Sequence, residues 1–557
     1  MSHERIESSV SLFINKAIAS IAKERSLAPS GPLEVIIEIP KDPSHGDLAT
    51  NAAFRLAKLL KENPVESAKL LSLKLIALLP SSGLRAVIKR IEVKGPGFVN
   101  FFLSDDYLCG VLLDIKRQQA FFGSSGIGRK ERLQVEFVSA NPTGPLTLAH
   151  ARQAAVGNAL ARILEFSGHR VTREYYVNDE GVQMNILGAS IRARYLELCG
   201  VKKNFPADGY KGAYITEIAK DFRKRYGTRY LKEKETKNFT AFGHRWIIRD
   251  IRKDLKDFNV SFDVWYSQAS LRKGGKVEKA LSILREKGFL FEKDGAVWFR
   301  STNFGDDKDR VVIKSDATLT YLATDIAYHL DKYKRSFRKV IDIWGPDHHG
   351  YIPRIRAVVR ALGHDDSAID VLIVQLATLL KGGEPVSMST RAGEFVTLRE
   401  VMDEVGGDVA KFIFLARKLD SHLDFDLDVA KKESSENPVY YIQYAHARIC
   451  SIQEYAKKTK KTTFNSKLLK APEELELLRQ LRQFPLTVQL AAKNLEPNGI
   501  AVYLQNLASS FHNFYNKHRV VSDDLSLTAA RLVLVDCVRI TLANGLRLLG
   551  ISLPKKM

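Results

Sequence analysis

The chain has 557 residues, 45% of them hydrophobic. That is enough for three or four domains with real cores, and it excludes a disulfide-stapled miniprotein, a fibrous chain and a wholly disordered one. Lysine and arginine outnumber aspartate and glutamate by 85 to 64, a formal charge of +21 that suits a polyanionic partner, although solubility alone would also account for it.

The opening segment MSHERIESSVSLF carries acids early and no long apolar run, so no leader peptide is expected. Nowhere is there a stretch of about 18 apolar residues, so no membrane span or membrane partner is expected either. Residues 1–105 alternate helical patterns with short β-like runs such as 33–40. GPGFVNFFLS (95–104) reads as the strand that closes a small α/β unit, taken as a domain over 1–108. A link over 109–130 follows, ending in the Gly/Ser-rich FFGSSGIGRK (121–130). Its glycines precede a strand rather than follow one, which favours a linker over a phosphate loop.

A β-loop-α-β unit comes next. LQVEFV (133–138) is a short apolar strand, 139–149 a loop with two prolines, 150–168 an amphipathic helix capped at Gly168, and RVTREYYV (170–177) a second strand. Such a unit implies a Rossmann-like parallel sheet with a right-handed crossover and ligands outside the strands' carboxyl ends. Residues 190–300 are basic and mainly helical and read as an insertion. Parallel strands are expected to resume at 296–300, 310–315 and 339–345, within a domain spanning 131–415. Beyond about 400 the pattern is nearly all helical, giving a helical domain over 416–557. The four cysteines, Cys109, Cys199, Cys450 and Cys537, form no CxxC pair. No disulfide framework, no zinc and a reducing, cytoplasmic setting are therefore expected.

Three segments carry chemistry: VEFVSANPTGPLTLAHAR (135–152), DATLTYLATDIAYH (316–329) with WGPDHHGY (344–351), and KGGEPVSMSTRAGEFVTL (381–398). Their order resembles the class I arginyl-tRNA synthetases, and the resemblance runs from IPKDPSHGDLATNAAFRLAK (39–58) through REYYVNDEG (173–181) and LKDFNVSFDVWYS (255–267) to the end of the chain. It implies activation of arginine with ATP to arginyl-adenylate, transfer to the 3′ end of tRNA(Arg), and Mg²⁺ arriving with the nucleotide. A guanidinium is planar, always charged and best held by a carboxylate. The resemblance assigns that task to Asp325 and Tyr321, four residues apart and so on one helix face, with Glu136 assisting. Ser139 and Asn141 match the positions that hold the amino acid's amino and carboxyl groups. Gln375 is a further candidate, with a buried structural glutamine as the alternative. Asp347 and His348 match the ribose- and adenine-side residues.

Two family signatures are altered. The HxGH signature reads Thr147, Leu148, Ala149, His150, keeping only the last histidine and placing a methyl at Ala149 where ATP would approach the backbone. The KMSKS-type signature reads Ser387, Met388, Ser389, Thr390, Arg391, with both lysines gone. Gly144 stands where some relatives carry a compensating lysine, which leaves Arg391 and Lys381 as the nearby cations. One missing preorganised donor typically costs about 10²–10³ in rate, so activation slowed by roughly 10⁴–10⁶ is the expectation. Either a slow arginine–tRNA ligase or a catalytically silent tRNA-binding homologue follows.

For RNA, the resemblance places the tRNA elbow on the N-terminal unit near Asn51, Arg55 and Lys58, and the anticodon on the helical domain. There Tyr440 and Tyr444, at helical spacing with Arg448, could stack on unpaired bases, or form a core aromatic stripe. A monomer is expected.

Overall fold

The computed structural model describes residues 6–27, 35–40, 42–202, 204–386, 396–434, 436–458 and 462–557. Near the N-terminus, strands Ile37–Glu38, Leu48–Thr50, Phe98–Leu103 and Ile88–Lys94 form an antiparallel sheet in that order. The helix Pro64–Leu78, beside this sheet, starts where its residues demand: the Asn63 side chain accepts from the Val65 N–H (2.8 Å), and Pro64 fills the first turn.

The stretch read as a link from 109 begins as helix, Asp105–Gln118. Leu108, Val111, Leu112 and Ile115 recur at helical spacing on its buried face, which joins the common core. Lys116 reaches across to Asp536 (2.6 Å), 420 positions later. Only the turns after Gln118 link, and they close on the next unit: the Gly128 and Lys130 N–H groups donate to the carbonyls of Ser167 and Gly168, both at 2.9 Å.

The central sheet has five parallel strands: β1 (Arg132–Glu136), β2 (Arg170–Val177), β3 (Val264–Ser267), β4 (Lys339–Trp344) and β5 (Ile369–Ile373), in the order β5-β4-β1-β2-β3. Helix α1 (Leu148–Phe166) crosses from β1 to β2, and α2 (Tyr321–Lys334) precedes β4. The chain leaves β1 toward β2 on one side and β4 lies on the other, so the switch point falls beside β1. Buried positions make up 14 of the 19 residues of α1, and a Cβ on Gly157 would lie 2.2 Å from the Phe137 ring. Glycine there lets the helix close onto the start of the loop after β1. The helix stops at Gly168 (φ +95°), where the His169 N–H bonds back to the Leu164 carbonyl (3.1 Å).

Two expectations are corrected here. The segments 296–300 and 310–315 are not parallel strands: Ala296–Phe299 and Arg310–Ile313 pair antiparallel, with Leu290–Lys293 on the far side. For the first segment the cause is the two-residue turn Asp294–Gly295, with φ of +53° and +72°, which folds Ala296–Phe299 straight back on Leu290–Lys293. Nor is 190–300 one insertion, because β3 returns to the sheet within it. A four-residue edge strand, Val-Trp-Tyr-Ser, has too little apolar pattern to announce itself.

After β5 a small sheet follows: Ala377–Lys381 runs parallel to Leu423–Asp426 and antiparallel to Glu384–Pro385. Arg152 of α1, fully buried, fastens it by donating to the carbonyls of Gln375 (2.8 Å), Ser421 (3.0 Å) and Lys418 (2.9 Å). The helices Pro438–Ala456, Pro472–Asn494, Asn498–Lys517 and Leu525–Leu549 complete the chain. One apolar core runs unbroken from Ile6 through α1 to Ile551.

Candidate active site

A cavity of about 590 Å³ opens at the carboxyl ends of β1, β2 and β4, a size suited to a small-molecule substrate site. Of the residues singled out in the sequence, Glu136, Ser139, Asn141, His150, Tyr321, Asp325, Asp347 and His348 line it. The helical spacing of Tyr321 and Asp325 does bring both to one wall. Tyr321 is 72% exposed at the start of α2, while Asp325 is half-buried and accepts a hydrogen bond from the Tyr351 hydroxyl (2.5 Å). Burial raises the Asp325 carboxyl above the usual carboxylate range, and the Tyr351 bond offsets only part of this.

The floor of the cavity is ionic. Lys332 of α2, fully buried, donates to Glu136 Oε2 (2.6 Å) and Asp342 Oδ1 (2.8 Å). The Tyr328 hydroxyl, with one proton to give, lies 2.8 Å from Glu136 Oε2 and 2.6 Å from Glu174 Oε1, and Arg335 holds Glu174 with two bonds of 2.5 and 2.9 Å. Burial also opposes ionisation of Asp342, but Lys332 and His329 outweigh it and hold the carboxyl at about 2. For Glu136 burial wins and the carboxyl is raised, despite Lys332. Nothing in the sequence pattern marked Lys332, which looks there like one more solvated lysine in DKYKR.

The loop after β1 is strained. Val138 and Ser139 take φ of +67° and +38°, a region that a β-branched residue enters only when its surroundings force it. Ser139 Oγ donates to Glu136 Oε1 (3.1 Å) and accepts from the Tyr176 N–H (3.1 Å), and Tyr175 holds the Ala140 carbonyl (2.9 Å). The loop is thus pinned from β2.

At the start of α1, His150 Nδ1 accepts from the Thr147 N–H (3.1 Å), with the Thr147 hydroxyl 3.0 Å away. An Nδ1 that accepts a backbone N–H leaves the proton on Nε2. Burial pulls this histidine down to about 4, so near neutral pH it is an uncharged donor at the cavity wall. The same segment is tied to the residues that follow the second signature: Leu148 N–H donates to Val396 O (3.1 Å), and Leu398 N–H to Leu146 O (2.8 Å).

Several candidates lie elsewhere. Gln375 does not line the cavity: its N–H turns to the Leu419 carbonyl (2.9 Å) and its carbonyl is taken by Arg152. Both bonds are made by its main chain, and the residue is half-buried. Thr147 and Ala149 stand behind His150 in the first turn of α1, outside the lining, and Lys381 is exposed at a strand end. Met388 and Arg391 lie outside the described residues. Asn51 sits half-buried before the helix Ala52–Leu60 with a buried Oδ1, and Arg55 follows one turn on. The cavity also takes in Tyr176, Asn178, Gln183, Gln268, Trp344 and Tyr351. Four of these, Tyr176, Asn178, Trp344 and Tyr351, stood in the segments REYYVNDEG and WGPDHHGY without an assigned role.

A second cavity of about 590 Å³ lies in the helical part, lined by Tyr444, Arg448, Tyr455, Tyr515, His518 and Arg519, among others. Tyr440 and Tyr444 stand parallel, 6.3 Å apart at 7°, and the Arg448 guanidinium lies over the Tyr444 and Tyr515 rings at 4.7 and 4.6 Å. Tyr440 itself does not line it.

Comparison with known proteins finds matches along most of the chain. Residues 11–103 match the arginyl tRNA synthetase N terminal domain, 115–418 the catalytic domain of class I (R) tRNA synthetases, and 442–557 the DALR anticodon binding domain. The chain is 49% identical to an arginine–tRNA ligase of Citrifermentans bemidjiense, covering 95% of this chain and 96% of that one. With the arginine–tRNA ligase of Geobacillus kaustophilus the identity is 46%, over 98% of both. The arginyl-tRNA synthetase structure of Thermus thermophilus has the same fold, with a TM-score of 0.76 at 20% identity over 99% of this chain and all of that one. A catalytic-domain match over more than half the chain, with near-complete relatives approaching half identity, places this protein in the class I arginyl-tRNA synthetase family.

Proposed function

We propose that the chain is an arginine–tRNA ligase that activates L-arginine with ATP and transfers it to the 3′ end of tRNA(Arg), at a rate reduced by its altered signatures. The observation that carries this is the half-buried Asp325 carboxylate, flanked by Tyr321 and Tyr351 in the cavity at the strand ends. Asp325 and Tyr321 take the guanidinium, with Glu136 supplying negative charge from below. Ser139 and Asn141 take the backbone end of the amino acid. Asp347 and His348 meet the ribose and adenine, and the Nε2–H of His150 meets the phosphates.

Mg²⁺ comes with ATP, on the phosphate side where His150 supplies a neutral donor. The resemblance gives the phosphate side also to Lys381, at the end of Ala377–Lys381, and to Met388 and Arg391. Asn51, Arg55, Tyr440, Tyr444 and Arg448 face tRNA. The units at 1–108, 131–415 and 416–557 then hold elbow, substrates and anticodon, in a monomer working in the cytoplasm. Among the described residues no helix is long and apolar enough to cross a membrane.

Purified protein with tRNA(Arg), ATP and Mg²⁺ should give arginyl-tRNA above background, and a flat time course would remove this reading. Thr147, Ala149, Ser387 and Thr390 favour a second reading, a silent homologue that binds tRNA without turnover. The variant Thr147→His, Ala149→Gly, Ser387→Lys, Thr390→Lys separates them. It should raise arginylation by about 10²-fold or more in a slow enzyme, and create it from nothing in a silent one. In either case tRNA affinity should fall steeply with salt, as expected of many phosphate contacts.

A further inference from the structure

Asn141 is fixed in its main chain but not, by itself, in its side chain. The Thr143 N–H bonds to its carbonyl (2.7 Å), and Tyr175 and Tyr214 hold the neighbouring carbonyls of Ala140 (2.9 Å) and Thr143 (2.8 Å). A carboxamide can still turn over, presenting either a donor or an acceptor to the cavity. One side chain decides between them. Asn178, just past the end of β2, donates from Nδ2 to Asn141 Oδ1 at 3.2 Å, and both residues line the cavity. With Oδ1 occupied, Asn141 turns its NH₂ to the substrate.

The opposite setting of Asn178 would place its NH₂ where its Oδ1 now lies buried and without a partner. An orphaned buried N–H group is rarer in proteins than an under-satisfied carbonyl, so the present setting is the cheaper one. Asn178 is itself carried on a fixed turn. The next residue, Asp179, accepts from Ser267 Oγ (2.5 Å) and the Ala269 N–H (2.9 Å), which ties the ends of β2 and β3 together.

We infer that Asn178 is a positioning residue for the amino acid's carboxylate: it holds Asn141 as a donor, so that position 141 accepts a carboxylate or acyl oxygen and not an ammonium group. This rests on the proposed assignment of Asn141 to the backbone end of arginine, and it settles which end that is. The α-ammonium then falls to Ser139. The hydroxyl proton of Ser139 is spent on Glu136, and its remaining lone pair can accept.

The variant Asn178→Asp tests this. An aspartate can only accept, so the Asn141 amide must turn over and set an oxygen against the substrate's carboxylate. Arginine and agmatine, its decarboxylated form, are compared as ligands by titration calorimetry, with KM for arginine and ATP measured alongside. Loss of a hydrogen bond to a charged group predicts a 10- to 100-fold weaker arginine complex, on the order of that bond's usual worth. Agmatine affinity and the KM for ATP should stay within about twofold, because neither ligand uses the carboxylate contact. Equal weakening of arginine and agmatine would overturn the inference and make Asn178 merely structural, as would no weakening of either. The control Asn141→Ala isolates the underlying assignment. If it binds arginine as tightly as the parent, Asn141 itself is misassigned, whereas if Asn141→Ala weakens arginine and Asn178→Asp does not, only the positioning role fails.

Discussion

The variant Asp325→Asn should lose arginine: kcat/KM for the amino acid should fall by roughly 10²–10⁴-fold, while tRNA affinity and the unfolding midpoint stay close to those of the parent. The range converts the 3–5 kcal/mol that typically follows loss of one partner from a desolvated charge pair. An amide keeps the shape of the carboxylate and can still accept from Tyr351, so folding is little touched. What disappears is the charge that faces the guanidinium. Steady-state aminoacylation across arginine concentrations reads the effect directly. A loss below tenfold would move guanidinium recognition to the Glu136–Glu174 floor.

The same carboxyl gives a pH dependence. Burial raises the Asp325 carboxyl, and only its ionised form pairs with arginine. Arginine affinity in the parent should therefore drop as pH falls, beginning above the range where an ordinary aspartate titrates. In Asp325→Asn this acid limb should flatten. Calorimetric titration of arginine at a series of pH values provides the check.

The variant Lys332→Met should be the most destabilising single change in the catalytic part, by about 3–5 kcal/mol. Methionine fills the space but leaves Glu136 and Asp342 buried without their shared cation. Both carboxylates would then be raised in the folded state relative to the unfolded chain. The folded protein would bind more protons than the unfolded one, so its stability should fall as pH rises and recover partly on acidification. The double variant Lys332→Met, Asp342→Asn should regain part of the loss. Thermal unfolding at acidic and neutral pH measures all three. A midpoint for Lys332→Met equal to that of the parent would mean that water reaches the floor.

The sequence displayed the strand-loop-helix-strand at 132–177 because each part has its own local cause: an apolar run, two prolines, an apolar face of period 3.6 and a terminal glycine. The hairpin at 290–299 also had its cause in view, in Asp294–Gly295, but alternation alone cannot say which strand is the partner. Strand β3 had no local cause, since a short edge strand is held by its neighbour. The site divides in the same way. Tyr321 and Asp325 share a helical turn, so spacing sets them on one face, but it is the resemblance that gives that face a task. Lys332 meets Glu136 across 196 positions and Asn178 meets Asn141 across 37, and neither pairing leaves a trace in local pattern. Gln375 lies outside the cavity, and the bond that its main-chain carbonyl accepts from Arg152 is equally invisible in VLIVQLATLL.

The unbroken core has a mechanical meaning. The last long helix, Leu525–Leu549, rests both on Asp105–Gln118 and on α1, the helix that begins at His150. Among the described residues, apolar packing therefore runs from the far end of the molecule to the helix that carries the cavity wall. The helix Asp105–Gln118, α1 and the last long helix are less like beads on a string than like spokes driven into one hub.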